Sequence, residues 1–95
     1  MNALGTRLRE LRKANGLLLR QSAAHLDMDP ALMSRIESGA KRPLETQVVK
    51  LADLYNVSPS ELLKLWLCDM VVEVVDGKSE AIAALELART ELARR

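Results

Sequence analysis

Aromatic residues are almost missing from this sequence. It has no Phe, one Trp and one Tyr among 95 residues, against 48% apolar residues. The core must therefore be built mainly from Leu, Val, Ala and Met, a composition that favours helices over sheets. Cysteine and histidine are equally scarce, one of each. That excludes a structural zinc site, which wants four ligands of those types, and an intrachain disulfide. The lone thiol, Cys68, fits a reducing cytoplasm, and its neighbours Trp66, Leu67, Met70 and Val71 predict that it is buried. His25, with no second ligand near it, reads as structural or solvent-facing. Long apolar runs are missing too. The stretch from Leu62 to Val75 is broken by Lys64, Asp69 and Glu73, too charged to span a bilayer, and no signal peptide is read before the first helix. Paired carboxylates, a Ser/His/Asp set, a phosphate loop and a metal-ligand cluster do not occur, so neither an enzyme nor a cofactor is expected. A chain of about 100 residues supports one core, which leaves no room for a two-lobed enzyme.

What is present is an uneven charge. The net charge is +1 overall, but residues 1–42 carry eight bases against four acids and the remainder six against nine. Such a split points to an anionic partner for the first half alone.

Periodicity and punctuation predict six helices. Leu4, Leu8 and Leu11 recur at helical spacing from about Ala3 to Ala14, where Asn15 and Gly16 stop the helix. A second helix, about Leu19 to Leu26, buries Ala23 and Leu26. Asp29 then reads as an N-cap and Pro30 as the first residue of a third helix, which buries Met33 and Ile36, runs to about Glu37 and ends at Gly39. A fourth, about Leu44 to Tyr55, turns Val48, Leu51 and Ala52 inward. Ser58, Pro59 and Glu61 form a capping box for a fifth, Pro59 to about Val75. Its apolar face is wide: Leu63, Trp66, Leu67, Met70, Val71 and Val74, with Leu65 and Val72 on the other side. The sixth, about Ser79 to Ala93, carries one stripe of Ala81, Ile82, Leu85, Ala88 and Leu92.

The ordered segments "LGTRLRELRKANGL", "AAHLDMDPALMSRIESGAKRP" and "LETQVVKLADLYNVSPSELL" resemble the Cro and lambda-repressor-like helix-turn-helix family, also called XRE-type regulators, over Leu4 to Leu63. The resemblance implies an all-α fold. A five-helix DNA-binding domain would occupy residues 1–65, and the extended fifth helix with an additional sixth would form a C-terminal element over 66–95. It implies that the third helix enters the major groove of double-stranded DNA, with Pro30, Ala31, Ser34 and Arg35 facing bases. Arg35 would pair with guanine and Ala31 would meet a thymine methyl. Phosphates would fall to Arg20, Gln21, Ser38, Gly39, Lys41 and Arg42. Arg12 and Glu37 match positions that form an ion pair in this family. The family usually opens its second helix with Ser or Thr followed by Gln, whereas here Leu18 and Leu19 stand there, so Arg20 or Gln21 takes over that contact. Pro30 and Ala31 replace polar base readers, which leaves more of the recognition to Arg35 and to DNA shape.

Beyond Leu63 the surplus apolar face, Trp66, Met70, Val71 and Val74 together with Ile82, Leu85 and Leu92, predicts a homodimer interface. The function implied is a small cytoplasmic transcriptional regulator, of repressor or controller type, on a palindromic operator, with no small-molecule effector and no membrane partner. An antitoxin, or an adaptor that keeps the fold without binding DNA, is the alternative.

Overall fold

Asn2 opens the first helix by accepting the N–H of Gly5 on its side-chain oxygen at 2.8 Å. In the computed structural model, which describes residues 2–95, six helices and no strand occur among the described residues. Residue 1, the start of the expected DNA-binding domain, lies outside them. The helices are α1 (Ala3–Ala14), α2 (Leu19–His25), α3 (Pro30–Ser38), α4 (Glu45–Leu54), α5 (Pro59–Val75) and α6 (Ala81–Ala93).

Several expected ends shift by a residue or two for visible reasons. Leu26 and Tyr55 are C-caps rather than helix interior, because Asp27 and Asn56 follow them with positive φ. Leu44 is the N-cap of α4, and α6 begins at Ala81 because Ser79 and Glu80 lie in the turn before it. Neither Leu18 nor Leu44 has a side chain that accepts a hydrogen bond. At both helix starts a glutamine three residues on reaches back instead: Gln21 Oε1 accepts from Leu18 N at 2.7 Å, and Gln47 Oε1 from Leu44 N at 2.9 Å. This is half of a capping box.

The core is one cluster of Leu4, Leu8, Leu11, Ala23, Leu26, Met33, Ile36, Val48, Leu51, Ala52, Tyr55 and Leu62. α1 packs against α3 and α5, α2 against α3 and α4, and α4 against α5. The contact between α1 and the end of α3 is so close that a Cβ on Gly5 would lie 2.3 Å from the carbonyl oxygen of Glu37. Only glycine fits there.

Inside the core one polar pair is satisfied: the Tyr55 hydroxyl donates to Ser22 Oγ at 2.7 Å, tying the end of α4 to α2. Both residues are buried. Burial raises the Tyr55 pKa above its ordinary value, and the hydrogen bond to Ser22 works the other way.

α5 corrects the expected face. Its core side is Leu62, fully buried, with Leu63, Leu65 and Trp66 half-buried against the core and Asp69 a turn beyond, whereas Leu67, Val71 and Val74 of the expected face are exposed. Leu65 therefore belongs to the core side, and Cys68, expected to be buried, is exposed. From Val71 onward α5 leaves the core, and no residue of α6 is buried.

Candidate nucleic-acid interface

α3 turns Met33, Ile36 and Glu37 inward and presents Pro30, Ala31, Ser34, Arg35 and Ser38 to solvent. Its start is fixed by Asp29, whose carboxylate accepts from Ala31 N at 2.7 Å, with Pro30 in the first turn. Its end is fixed by Gly39, whose φ of 87° is the left-handed conformation glycine takes without strain. The following loop folds back on α3: Lys41 N donates to Arg35 O at 3.1 Å, and the Ser38 hydroxyl donates to the same carbonyl at 3.0 Å. Arg35 and Lys41 are thus held at one end of the exposed arc.

Beneath that arc, Arg12 grips Glu37 with both arms, Nε to Oε2 at 2.7 Å and a terminal nitrogen to Oε1 at 3.1 Å. Its other terminal nitrogen donates to Leu17 O at 3.0 Å. The hydrogen bonds that Arg12 donates to Glu37 raise the Arg12 pKa above its ordinary value. The pair fastens α1, and through Leu17 the entrance to α2, to the inner side of α3.

Of the residues expected to meet phosphates, Arg20 and Gln21 are exposed at the start of α2. Gln21 spends its amide oxygen on Leu18 N–H and presents its NH₂. Lys41 is exposed and has no ion-pair partner among the described residues, whereas Arg42 pairs with Glu73 of α5. Arg9, Lys13, Arg20 and Arg35 are also exposed bases without an acidic partner among the described residues.

Three contacts that hold this surface went unread in the sequence. Asp69 accepts the N–H groups of Ala3 and Leu4 at 3.0 and 2.9 Å, capping α1 from α5. Trp66 Nε1 donates to Pro43 O at 2.9 Å, which pins the end of the loop that carries Lys41 and Arg42. Glu61, expected to close a capping box with Ser58, instead accepts from Arg7 Nε at 2.9 Å, and Ser58 alone caps α5 by accepting from Ser60 N at 3.2 Å. A cleft of about 650 Å³ opens between that loop, the start of α1 and α5.

The tail residues separate into two groups. Trp66 packs against the chain's own core, while Val71, Val74, Ile82 and Leu92 are exposed, Val74 by 75%. Met70 and Leu85 are half-buried along an apolar groove of about 320 Å³ between α5 and α6. No helix is long and apolar enough to cross a membrane, and no group of three or more His, Cys, Asp or Glu side chains could hold a metal, both among the described residues.

A family model described as a helix-turn-helix domain matches residues 3–65. No curated protein and no solved structure matches the chain.

Proposed function

The chain belongs to the helix-turn-helix domain family, and from that premise we propose that it is a sequence-specific DNA-binding transcriptional regulator of the Cro and lambda-repressor-like, XRE-type group. The observation that carries this reading is the exposed arc of α3: it holds Arg35 among small residues, with Lys41 held against its C-terminal end and Arg20 exposed at the start of α2, neither with an acidic partner among the described residues. Arg35 can reach a guanine in the major groove while the flanking bases take phosphates.

Residues 1–65 are read as a five-helix DNA-binding domain and residues 66–95 as a dimerising extension. α6 has 13 residues and buries none of them. An isolated helix shorter than about 12–15 residues is marginal in water, so a covering surface accounts for it. A second copy of the chain, joined through Met70, Val71, Val74, Ile82, Leu85 and Leu92, would supply that cover and set two α3 helices about 34 Å apart on a palindromic operator. In that role the protein acts as a repressor or controller.

The test begins with selection of a preferred duplex from a random pool. Arg35→Ala should weaken binding to that duplex by about 1–3 kcal/mol and leave random duplexes nearly unaffected, whereas Lys41→Ala should weaken both alike. Equal losses on both duplexes for Arg35→Ala would remove it as a base reader. For the dimer, sedimentation at micromolar concentration should show two chains, and Val74→Glu or Ile82→Glu should shift the protein to one. A monomeric unsubstituted chain would sink the dimer.

A further inference from the structure

Arg7 and Arg9 lie two residues apart on α1 with opposite fates. Arg7 is taken up by Glu61 and Glu10, at 2.9 and 3.4 Å. Arg9 has no acidic partner among the described residues and is exposed. It lines a small cleft of about 240 Å³ between α1, α2 and α3, together with Arg12, Leu19, Ser34, Glu37 and Ser38.

The floor of that cleft is electrically closed, because Arg12 and Glu37 neutralise one another with two hydrogen bonds. Arg9 is therefore the one uncompensated charge among its lining residues. The Ser38 hydroxyl is already used, donating to Arg35 O. The Ser34 hydroxyl makes no side-chain hydrogen bond among the described residues, and it shares the cleft with the Arg9 fork. One free guanidinium beside one free hydroxyl, above a neutralised floor and next to a helix that faces DNA, is the chemistry of a seat for a singly charged phosphodiester.

We infer that Arg9, with Ser34 beside it, binds a phosphate of the DNA backbone, so that α1 grips a strand along one border of α3 while Lys41 grips near the C-terminal end of that helix. This inference rests on the DNA-binding reading and adds to it. Arg9 becomes part of the interface instead of a solvated surface charge, and Ser34 turns from a base edge to the backbone.

The experiment measures affinity of the full chain for a random-sequence duplex across a salt series, for the unsubstituted protein and for Arg9→Ala, Arg9→Lys, Ser34→Ala, Lys41→Ala and Lys78→Ala. Each phosphate contact contributes about 0.9 to the slope of log affinity against log salt. Arg9→Ala should lower the slope by that amount and weaken binding by the same factor on selected and random duplexes. Arg9→Lys should keep the slope while losing part of the affinity, since the charge stays and the fork is lost. Ser34→Ala should weaken binding with the slope intact, and Lys78→Ala, in the turn before α6, should change neither. Arg9 is exposed, so its variants should unfold at the same midpoint as the parent, which separates a lost contact from a lost fold. An unchanged slope for Arg9→Ala, with a lowered slope for Lys41→Ala, would overturn the phosphate seat and leave the DNA-binding reading standing. Salt-independent or absent binding by the unsubstituted protein would overturn both.

Discussion

Arg12 and Glu37, 25 residues apart in the chain, form a two-armed ion pair in which 13% of the arginine side chain and 6% of the glutamate side chain remain exposed. So closed a pair behaves differently from an ordinary surface bridge. Removing one partner strands a charge away from water, at a cost of about 3 kcal/mol, whereas an exposed pair contributes about 1 kcal/mol or less. Arg12→Ala should therefore destabilise the protein by the larger amount in urea unfolding. Arg12→Lys should recover little, because an ammonium cannot make the parallel contacts or reach Leu17 O as well. A double-mutant cycle with Glu37→Gln should give strong coupling, and additive single effects would show that the two do not act as a unit.

The starts of α3 and α5 could be read from local chemistry alone. Asp29 with Pro30, and Ser58 with Pro59, act within a few residues of chain, and Gly39 marks an end the same way. The core of the first four helices was legible for a similar reason: a soluble helix with one buried stripe shows that stripe as spacing.

α5 was legible only in part: Leu63 and Trp66 meet the core as expected, but the inward stripe of Leu62, Leu65 and Trp66 ends in a carboxylate. A pattern that rejects Asp69 as core-facing shifts the face toward Leu67, Val71 and Val74, which are exposed. What makes Asp69 acceptable there is a pair of backbone donors 66 and 65 residues upstream, which spacing cannot reveal. The solvent-facing side of α3, Pro30, Ala31, Ser34 and Arg35, was legible as a set of positions. What could not be seen was competition: Arg42 already has Glu73, and Gln21 already serves Leu18.

Gly5 gives a test in which two physical effects have opposite signs. Within a helix Ala is favoured over Gly by about 1 kcal/mol, so propensity alone would make Gly5→Ala stabilising. The added Cβ would sit 2.3 Å from Glu37 O and 2.9 Å from Ile36 O, both backbone atoms that cannot swing aside. α1 would have to move off the end of α3, and overpacking of this kind costs about 1–3 kcal/mol. Thermal unfolding of Gly5→Ala should show a lowered midpoint, and a raised one would mean that the helices do not approach so closely.

Asp69 ties the tail to the first turn of α1, and its loss should be felt there. Asp69→Ala leaves the N–H groups of Ala3 and Leu4 without their acceptor, at a cost of about 1–2 kcal/mol by analogy with a lost N-cap. Asp69→Asn should cost less, since one oxygen remains to accept. Hydrogen exchange should locate the effect: the first turn of α1 exchanges faster in both variants, while the Leu51 and Ala52 amides slow down or speed up only with global stability. Unchanged exchange at Ala3 and Leu4 would show that the cap is not formed.

The buried hydroxyl of Tyr55 makes stability depend on pH at the alkaline end. Its pKa is raised chiefly by burial, against the opposing influence of the Ser22 hydrogen bond. In the unfolded chain it ionises near its ordinary value of about 10. Its contribution to stability is therefore fully present below that pH. It is lost as pH rises through the higher folded value, because the unfolded state then gives up its proton first. Tyr55→Phe removes that ionisation, so the alkaline fall in the parent should exceed the fall in the variant. At neutral pH the variant should be less stable by about 1 kcal/mol, the worth of an ordinary hydrogen bond. As this is the one tyrosine in the chain, tyrosinate absorbance reports it without interference, and its titration should coincide with loss of helix. A titration at the ordinary value in a chain that keeps its helices would place the hydroxyl in water and break the link between α2 and α4.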